Sequence, residues 1–218
     1  MKEILRVLVG SRAHGLATDA SDYDYRGVFA VPTVDLLAVG GQPRKSVWEE
    51  GAVDTSAWEI GHFLQLSLAS NPTILETYLA PRQKLAGGGD WGALLQRLFP
   101  YVWSAKRVRD SFIGYGHNQR KKFLGEARES GERTKDGYRR PKFAVAYLRT
   151  LYQGWELLET GKFSVDMTET DIFPTLVAWR RGEFTPGEVI DDCEVWQQRV
   201  EQAYEDLMGR GGQEADLG

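Results

Sequence analysis

The sequence predicts an α/β protein in which residues 1–85 carry a small sheet and the rest of the chain is helical. Three observations carry that expectation. Residues 3–9 and 22–31 are short runs of aliphatic, β-branched and aromatic residues, bounded by Gly10-Ser11 and Pro32, which reads as strands. From Ser56 the apolar spacing changes, with Ile60, Phe63, Leu64 and Leu68 falling on one helical face. Beyond Ala86-Gly-Gly-Gly-Asp90 the helical spacing continues almost to the end.

Taken in order, Glu3 to Val9 is a buried strand that Gly10-Ser11 turns, and Arg12–Gly15 is one short helical turn. The polar stretch Thr18-Asp-Ala-Ser21 is a loop that delivers the chain into a second strand, which stops at Pro32. Another short strand is expected near 46–48 or 52–55. Ser56 is the expected cap of the helix that follows, and Asn71-Pro72 its end, with Thr73 to Leu79 forming a second short helix. Three consecutive glycines mark 86–90 as a linker. Helices are expected over 91–98, 102–126, 141–160 and 186–208, with a charged loop at 128–140 and a disordered tail at 209–218. The expected organisation is therefore a domain over 1–85 and a helical domain over 91–208. No fixed-period repeat is present.

The composition excludes several classes of function. A hydrophobic content of 42% with seven Trp suffices for a packed core. No apolar run approaches the roughly 20 residues of a membrane span, and Met1-Lys-Glu-Ile leads into a strand rather than a secretory signal. A soluble, cytoplasmic protein is expected, with no membrane partner. The one cysteine, Cys193, excludes an intrachain disulfide and reads as a small buried residue. The net charge of −4 conceals an asymmetry: residues 101–150 hold 13 Lys or Arg against 5 Asp or Glu. That surplus suits a phosphate-rich partner, although a solvated helix face gives the same pattern. Tyr115, Phe123, Tyr138, Tyr147 and Tyr152 interleave with these cations at the spacing of core residues.

The chemistry lies in Leu8 to Val28, LVGSRAHGLATDASDYDYRGV. Asp22 and Asp24 stand one residue apart in a strand-like run, so their side chains project from one face. Two carboxylates so placed repel one another unless a divalent cation lies between them. Mg²⁺ takes oxygen ligands and completes its shell with substrate phosphates. A calcium loop is excluded, because Asp22-Tyr-Asp-Tyr-Arg lacks the further oxygen ligands and the glycine at their required places. Arg26 shares the face of the two aspartates, where it either pairs with one of them or touches phosphate. His14 reads as local packing, and His62 and His117 stand apart from any acid or thiol cluster.

Gly10-Ser11 followed by Ser21-Asp-Tyr-Asp24 resembles the signature of the DNA polymerase β superfamily of nucleotidyltransferases. Together with Asn71-Pro-Thr-Ile-Leu-Glu76, the block is similar to the group described as YcgL-like or RNA-repair-associated. The resemblance continues more faintly through Gly114-Tyr-Gly-His-Asn-Gln119, Lys142 to Arg149 and Glu156-Leu-Leu-Glu-Thr-Gly161. It implies a small mixed-sheet nucleotidyltransferase domain and a helical domain that closes the nucleotide cleft. It also implies transfer of a nucleoside monophosphate from an NTP to a hydroxyl, with two Mg²⁺ ions (Mn²⁺ as a substitute) clamping the attacking and leaving oxygens. Asp22 and Asp24 match the metal pair, and Asp54 is the third acid by its place before a helix, with Glu59 in reserve. Gly10, Ser11 and Ser21 match the nucleotide-holding turn. Lys142 and Arg149, seven apart and so on one helical face, match a Lys and an Arg that reach the triphosphate; this chain has Ala146 where the family often has His. The implied acceptor is an RNA or tRNA end. Nucleotidylation of a protein or small molecule, and a binding module whose catalysis has lapsed, are the alternatives.

Overall fold

The structure is a computed structural model and describes residues 1–39, 44–49, 54–85, 90–125 and 140–211. The expected linker glycines, most of the 128–140 loop and the tail beyond Gly211 lie outside the described residues. The chain divides into two compact units, Met1–Trp103 and Ser104–Gly218.

The first unit is built on a four-stranded mixed sheet in the order β1-β2-β4-β3. β1 (Lys2–Val9) runs antiparallel to β2 (Asp24–Ala30), β2 is parallel to β4 (Asp54–Glu59), and β3 (Ser46–Glu49) closes the edge antiparallel to β4. A short helix α1 (Gly10–Ala13) follows β1, and α2 (Thr33–Leu36) follows β2. Alternation along β1 sends Leu5, Val7 and Val9 into the core. The same buried set takes in Val28 and Phe29 of β2, Phe63 of α3 (Ile60–Leu68), and Ile74 and Leu75 of α4 (Pro72–Leu79).

One further strand is expected, near 46–48 or 52–55; strands form at Ser46–Glu49 and at Asp54–Glu59, and the helix after them starts later than the Ser56 cap suggests. Ser56 pairs within β4, and the N-cap of α3 is Glu59, whose side chain accepts from His62 N–H at 3.1 Å. Strand pairing on both edges of β4 outweighs the capping preference of serine. α4 begins as its sequence dictates: Asn71 Oδ1 accepts from Thr73 N–H at 3.0 Å and Pro72 occupies the first turn. Its Tyr78 is fully buried, 5.0 Å from the Phe63 ring, and donates its hydroxyl to Ser67 Oγ at 2.8 Å. Burial pushes that phenol up to about 12, against the opposing pull of the Ser67 bond.

After α4 the chain returns to the sheet. Leu8 N–H bonds Pro81 O and Gln83 N–H bonds Arg6 O, so residues 81–83 run along β1. α5 (Trp91–Gln96) then packs on β1, with Gly92 close against the Ile4 carbonyl, and a 3₁₀ turn at Phe99–Tyr101 completes the unit. The first compact unit therefore extends past 85 and takes in residues up to Trp103.

The second unit is helical: α6 (Ala105–Leu124), α7 (Arg140–Thr160), α8 (Phe173–Arg180) and α9 (Pro186–Gly209). α6 and α7 cross closely, with Gly116 against Tyr147 and Leu151, and Gly154 against Phe112. Tyr152, Trp155 and Trp196 form a ring cluster with centroids 5.1–5.5 Å apart, joining α7 to α9. α9 opens with a capping box between Thr185 and Glu188. α8 was not anticipated from the spacing, because Phe173-Pro-Thr-Leu-Val-Ala-Trp-Arg has no clear polar face.

Candidate active site

The sheet register assembles the site. Asp24, the first residue of β2, has Val9 as its partner on β1 and Asp54 as its partner on β4. Two carboxylates thus start adjacent parallel strands, which lie about 4.8 Å apart, while the turn after Val9 reaches the same edge from the other side. That turn begins at Gly10, whose φ of +72° favours glycine. A methyl group on Gly10 would overlap Asp24 Oδ2, so the missing side chain is what lets the turn and the acid touch.

The segment between α1 and β2 is held from within. Leu16 N–H bonds Ser11 O at 2.9 Å, and Ser21 closes a small turn in which its Oγ accepts from Thr18 N–H at 2.8 Å. Arg12 grips this turn through Nη2 on Ser21 O at 2.8 Å and lays its guanidinium over the Tyr23 ring at 3.9 Å. Asp22 lies between these anchored residues, exposed, two positions before the strand begins. The expected strand start at 22 thus shifts to Asp24, because Ser21 and Thr18 satisfy their backbone in a turn instead.

Beneath the edge lies a buried ionic cluster. Glu76 of α4 is 3% exposed. Its Oε1 accepts from His14 Nε2, and its Oε2 accepts from Arg26 Nη1 at 2.6 Å. Arg26 Nη1 also donates to Thr73 O at 3.0 Å. Of the two roles expected for Arg26, an acid partner is present, but it is Glu76. His14 is packed, as expected, and in addition bonded to a carboxylate 62 residues away in sequence.

Over residues 1–216 the chain matches the family described as RlaP: RNA repair pathway DNA polymerase beta family. The chain belongs to this family. No curated protein matches it. Membership of the RlaP family gives the chain a nucleotidyltransferase-type role within RNA repair, at the level of the family. It agrees with the resemblance carried by Gly10-Ser11 and Asp22-Tyr-Asp24, and with the four-stranded mixed sheet followed by helices.

Within this RlaP-family chain the oxygen donors at the sheet edge fit a hard divalent cation. Mg²⁺ is commonly held by one or two carboxylates and substrate phosphates, and Asp24 beside Asp54 supplies such a pair next to the turn that Gly10 opens. Among the described residues no three His, Cys, Asp or Glu side chains gather as a metal cage. Glu59 stands at the far end of β4, in register with Phe29, and is occupied as the cap of α3. Lys142 and Arg149 stand on α7 of the second unit. Lys142 is exposed there, while Arg149 Nη1 donates to Gln153 Oε1 at 3.0 Å. Gln153 in turn donates to Ser164 O at 2.7 Å, and buried Glu156 accepts from Ser164 N–H and Oγ–H, which ties the loop after α7 to that helix. His117 bonds Gln197 at 3.0 Å, a surface pair.

Two residues of the site were missed in the sequence. Arg12 carries no signal of its own within Leu8–Val28. Glu76 ends the Asn71-Pro-Thr-Ile-Leu-Glu76 motif, and a lone acid between Ile74, Leu75 and Tyr78 is itself a signal, since an acid on an apolar face needs a buried partner.

Proposed function

We propose that this protein transfers a nucleoside monophosphate from a Mg²⁺-bound NTP to the hydroxyl of an RNA or tRNA end, releasing pyrophosphate. The observation that carries the reading is the register of Asp24 with Asp54 beside the side-chain-free turn at Gly10. Asp24 and Asp54 supply the oxygen ligands, and Asp22, exposed at the mouth of β2, adds a further carboxylate. Gly10, lacking a side chain, brings the turn against Asp24, and its backbone N–H and the Ser11 hydroxyl are the donors offered to the phosphates. A cation bound there supplies the positive charge that offsets the charge developing on the entering and leaving oxygens. Positioning and charge do the remaining work, as in phosphoryl-type transfers generally. Exposed Lys106, Arg107, Lys121, Arg140 and Lys142 on α6 and α7 support a polyanionic acceptor, in keeping with the family's place in RNA repair.

The test offers each of the four NTPs, labelled at the α-phosphate, with Mg²⁺ or Mn²⁺ to total RNA, total protein and small hydroxyl compounds. Label is expected on RNA, with binding that weakens steeply as salt rises. Asp24→Asn and Asp54→Asn are each expected to lower transfer at least a hundredfold while the circular dichroism spectrum is unchanged. Transfer retained in an Asp22→Asn/Asp24→Asn double variant refutes the mechanism, and label on protein or a small hydroxyl compound alone overturns the RNA acceptor.

A further inference from the structure

Behind the proposed site stands a carboxylate that the reaction itself does not use. Both oxygens of Glu76 are taken, Oε1 by His14 Nε2 and Oε2 by Arg26 Nη1 at 2.6 Å. The two partners belong to the two halves of the site. His14 closes α1 and its backbone N–H bonds Gly10 O at 3.1 Å, so the imidazole is an arm of the Gly10–Ser11 turn. Arg26 follows Asp24 by two residues on β2, which places both on one face of that strand. We propose that Glu76 is a positioning residue for nucleotidyl transfer: through His14 and Arg26 it locks the phosphate-facing turn to the acid-bearing strand.

The inference rests on the site reading above and adds to it a buried strut from α4. Folding alone does not call for an acid here. Removing charges from water is costly, and replacing a whole buried ion pair or triad by well-packed apolar side chains commonly stabilises a fold as well or better. An apolar side chain cannot, however, hold two polar arms in one geometry. A carboxylate paired with Arg26 only accepts, so His14 Nε2 must carry a proton, and that bond sets the ring's orientation. Groups that orient the residues of a phosphate or metal site typically govern activity by about 10–100-fold.

The strut is tested in the full chain with Glu76→Gln, His14→Leu and His14→Gln. Gln at 14 places an amide N–H near the position of Nε2, whereas Leu leaves Glu76 Oε1 without that donor. Three quantities are read: the unfolding temperature, binding of Mn²⁺ with the NTP that the wild type uses by electron paramagnetic resonance, and label transfer from that NTP to the acceptor that the wild type labels. Glu76→Gln and His14→Leu are expected to lose about 10–100-fold in transfer rate per folded molecule, with altered Mn²⁺ spectra, and His14→Gln to recover most of the loss. A role in folding alone lowers the unfolding temperature but leaves the rate of the folded fraction and the Mn²⁺ spectrum at wild-type values, which overturns the inference. If Glu76→Gln does not fold, the contrast between Leu and Gln at position 14 decides. A wild type that binds Mn²⁺ with none of the four NTPs and labels no acceptor sinks the site reading and the strut together; an active wild type with unaffected variants sinks the strut alone.

Discussion

Gly10 concentrates two demands in one residue. Its φ of +72° costs a side-chain-bearing residue about 1–2 kcal/mol, and the space a methyl group would take is filled by the Asp24 carboxylate. Gly10→Ala is therefore expected to do two separable things. The strain lowers the unfolding temperature by a few degrees. The overlap displaces Asp24, so Mn²⁺-ATP affinity falls at least tenfold, more than the small loss of stability explains. Titration of Mn²⁺-ATP into the folded variant checks this, and unchanged affinity would show that Asp24 does not need its place against the turn. Asp24 and Gly10 are both legible as candidate site residues, because the spacing of acids and the Gly-Ser turn are local patterns. The partner of Arg26 was not, since Glu76 lies 50 residues away and only the packing of α4 brings it near.

The junction between α3 and α4 shows how an element boundary is set. Ser70 ends the α3 turn with φ of +51°, the one non-glycine residue with positive φ among the described residues. It is fully buried, and its Oγ has no hydrogen-bond partner among them. Glycine belongs at such a left-handed terminus. Ser70→Gly should relieve about 1 kcal/mol of backbone strain and remove a buried hydroxyl, raising the unfolding temperature by a few degrees. Ser70→Ala removes the hydroxyl alone and should gain less; thermal unfolding of the two variants separates the contributions, and a destabilised Ser70→Gly would contradict them. Boundaries of this kind divide what the sequence discloses from what it hides. The Asn71-Pro72 start of α4 was readable because cap and proline are both local. The start of α3 was not, since β4 gains hydrogen bonds from β2 on one side and β3 on the other, and these extend the strand through Ser56 to Glu59. The same pairing carries Asp54 into register with Asp24, a fact of sheet order that no window of sequence contains.

Across the whole molecule, burial of weak acids sets the alkaline limit of stability. Tyr78 of the first unit and Tyr147 and Tyr152 of the second are each pushed up to about 12, in every case chiefly by burial, and burial also raises the Cys193 thiol. Their neutral forms are the ones the folded state holds. Below about pH 8.5 these groups are protonated in both states and the difference contributes nothing adverse. As pH rises through the ordinary thiol and phenol range, near 8.5 and 10, the unfolded chain releases protons that the folded chain keeps. Stability therefore falls progressively from about pH 9 to about pH 12, the window set by the ordinary values and the raised ones. Denaturant unfolding followed at intervals across that range should show the midpoint dropping steadily, with little change between pH 7 and 8.5. Tyr78→Phe should be less stable at neutral pH, because Ser67 keeps only its bond to Phe63 O and loses the Tyr78 hydroxyl, yet show a shallower alkaline slope for the transition of the first unit. In a spectroscopic titration Tyr78, Tyr147 and Tyr152 should ionise late, together with loss of structure. Cys193 should resist thiol reagents at pH 8 until denaturant is added. All nine tyrosines ionising near pH 10 in a molecule that stays folded would show that these phenols are not held in the core as described.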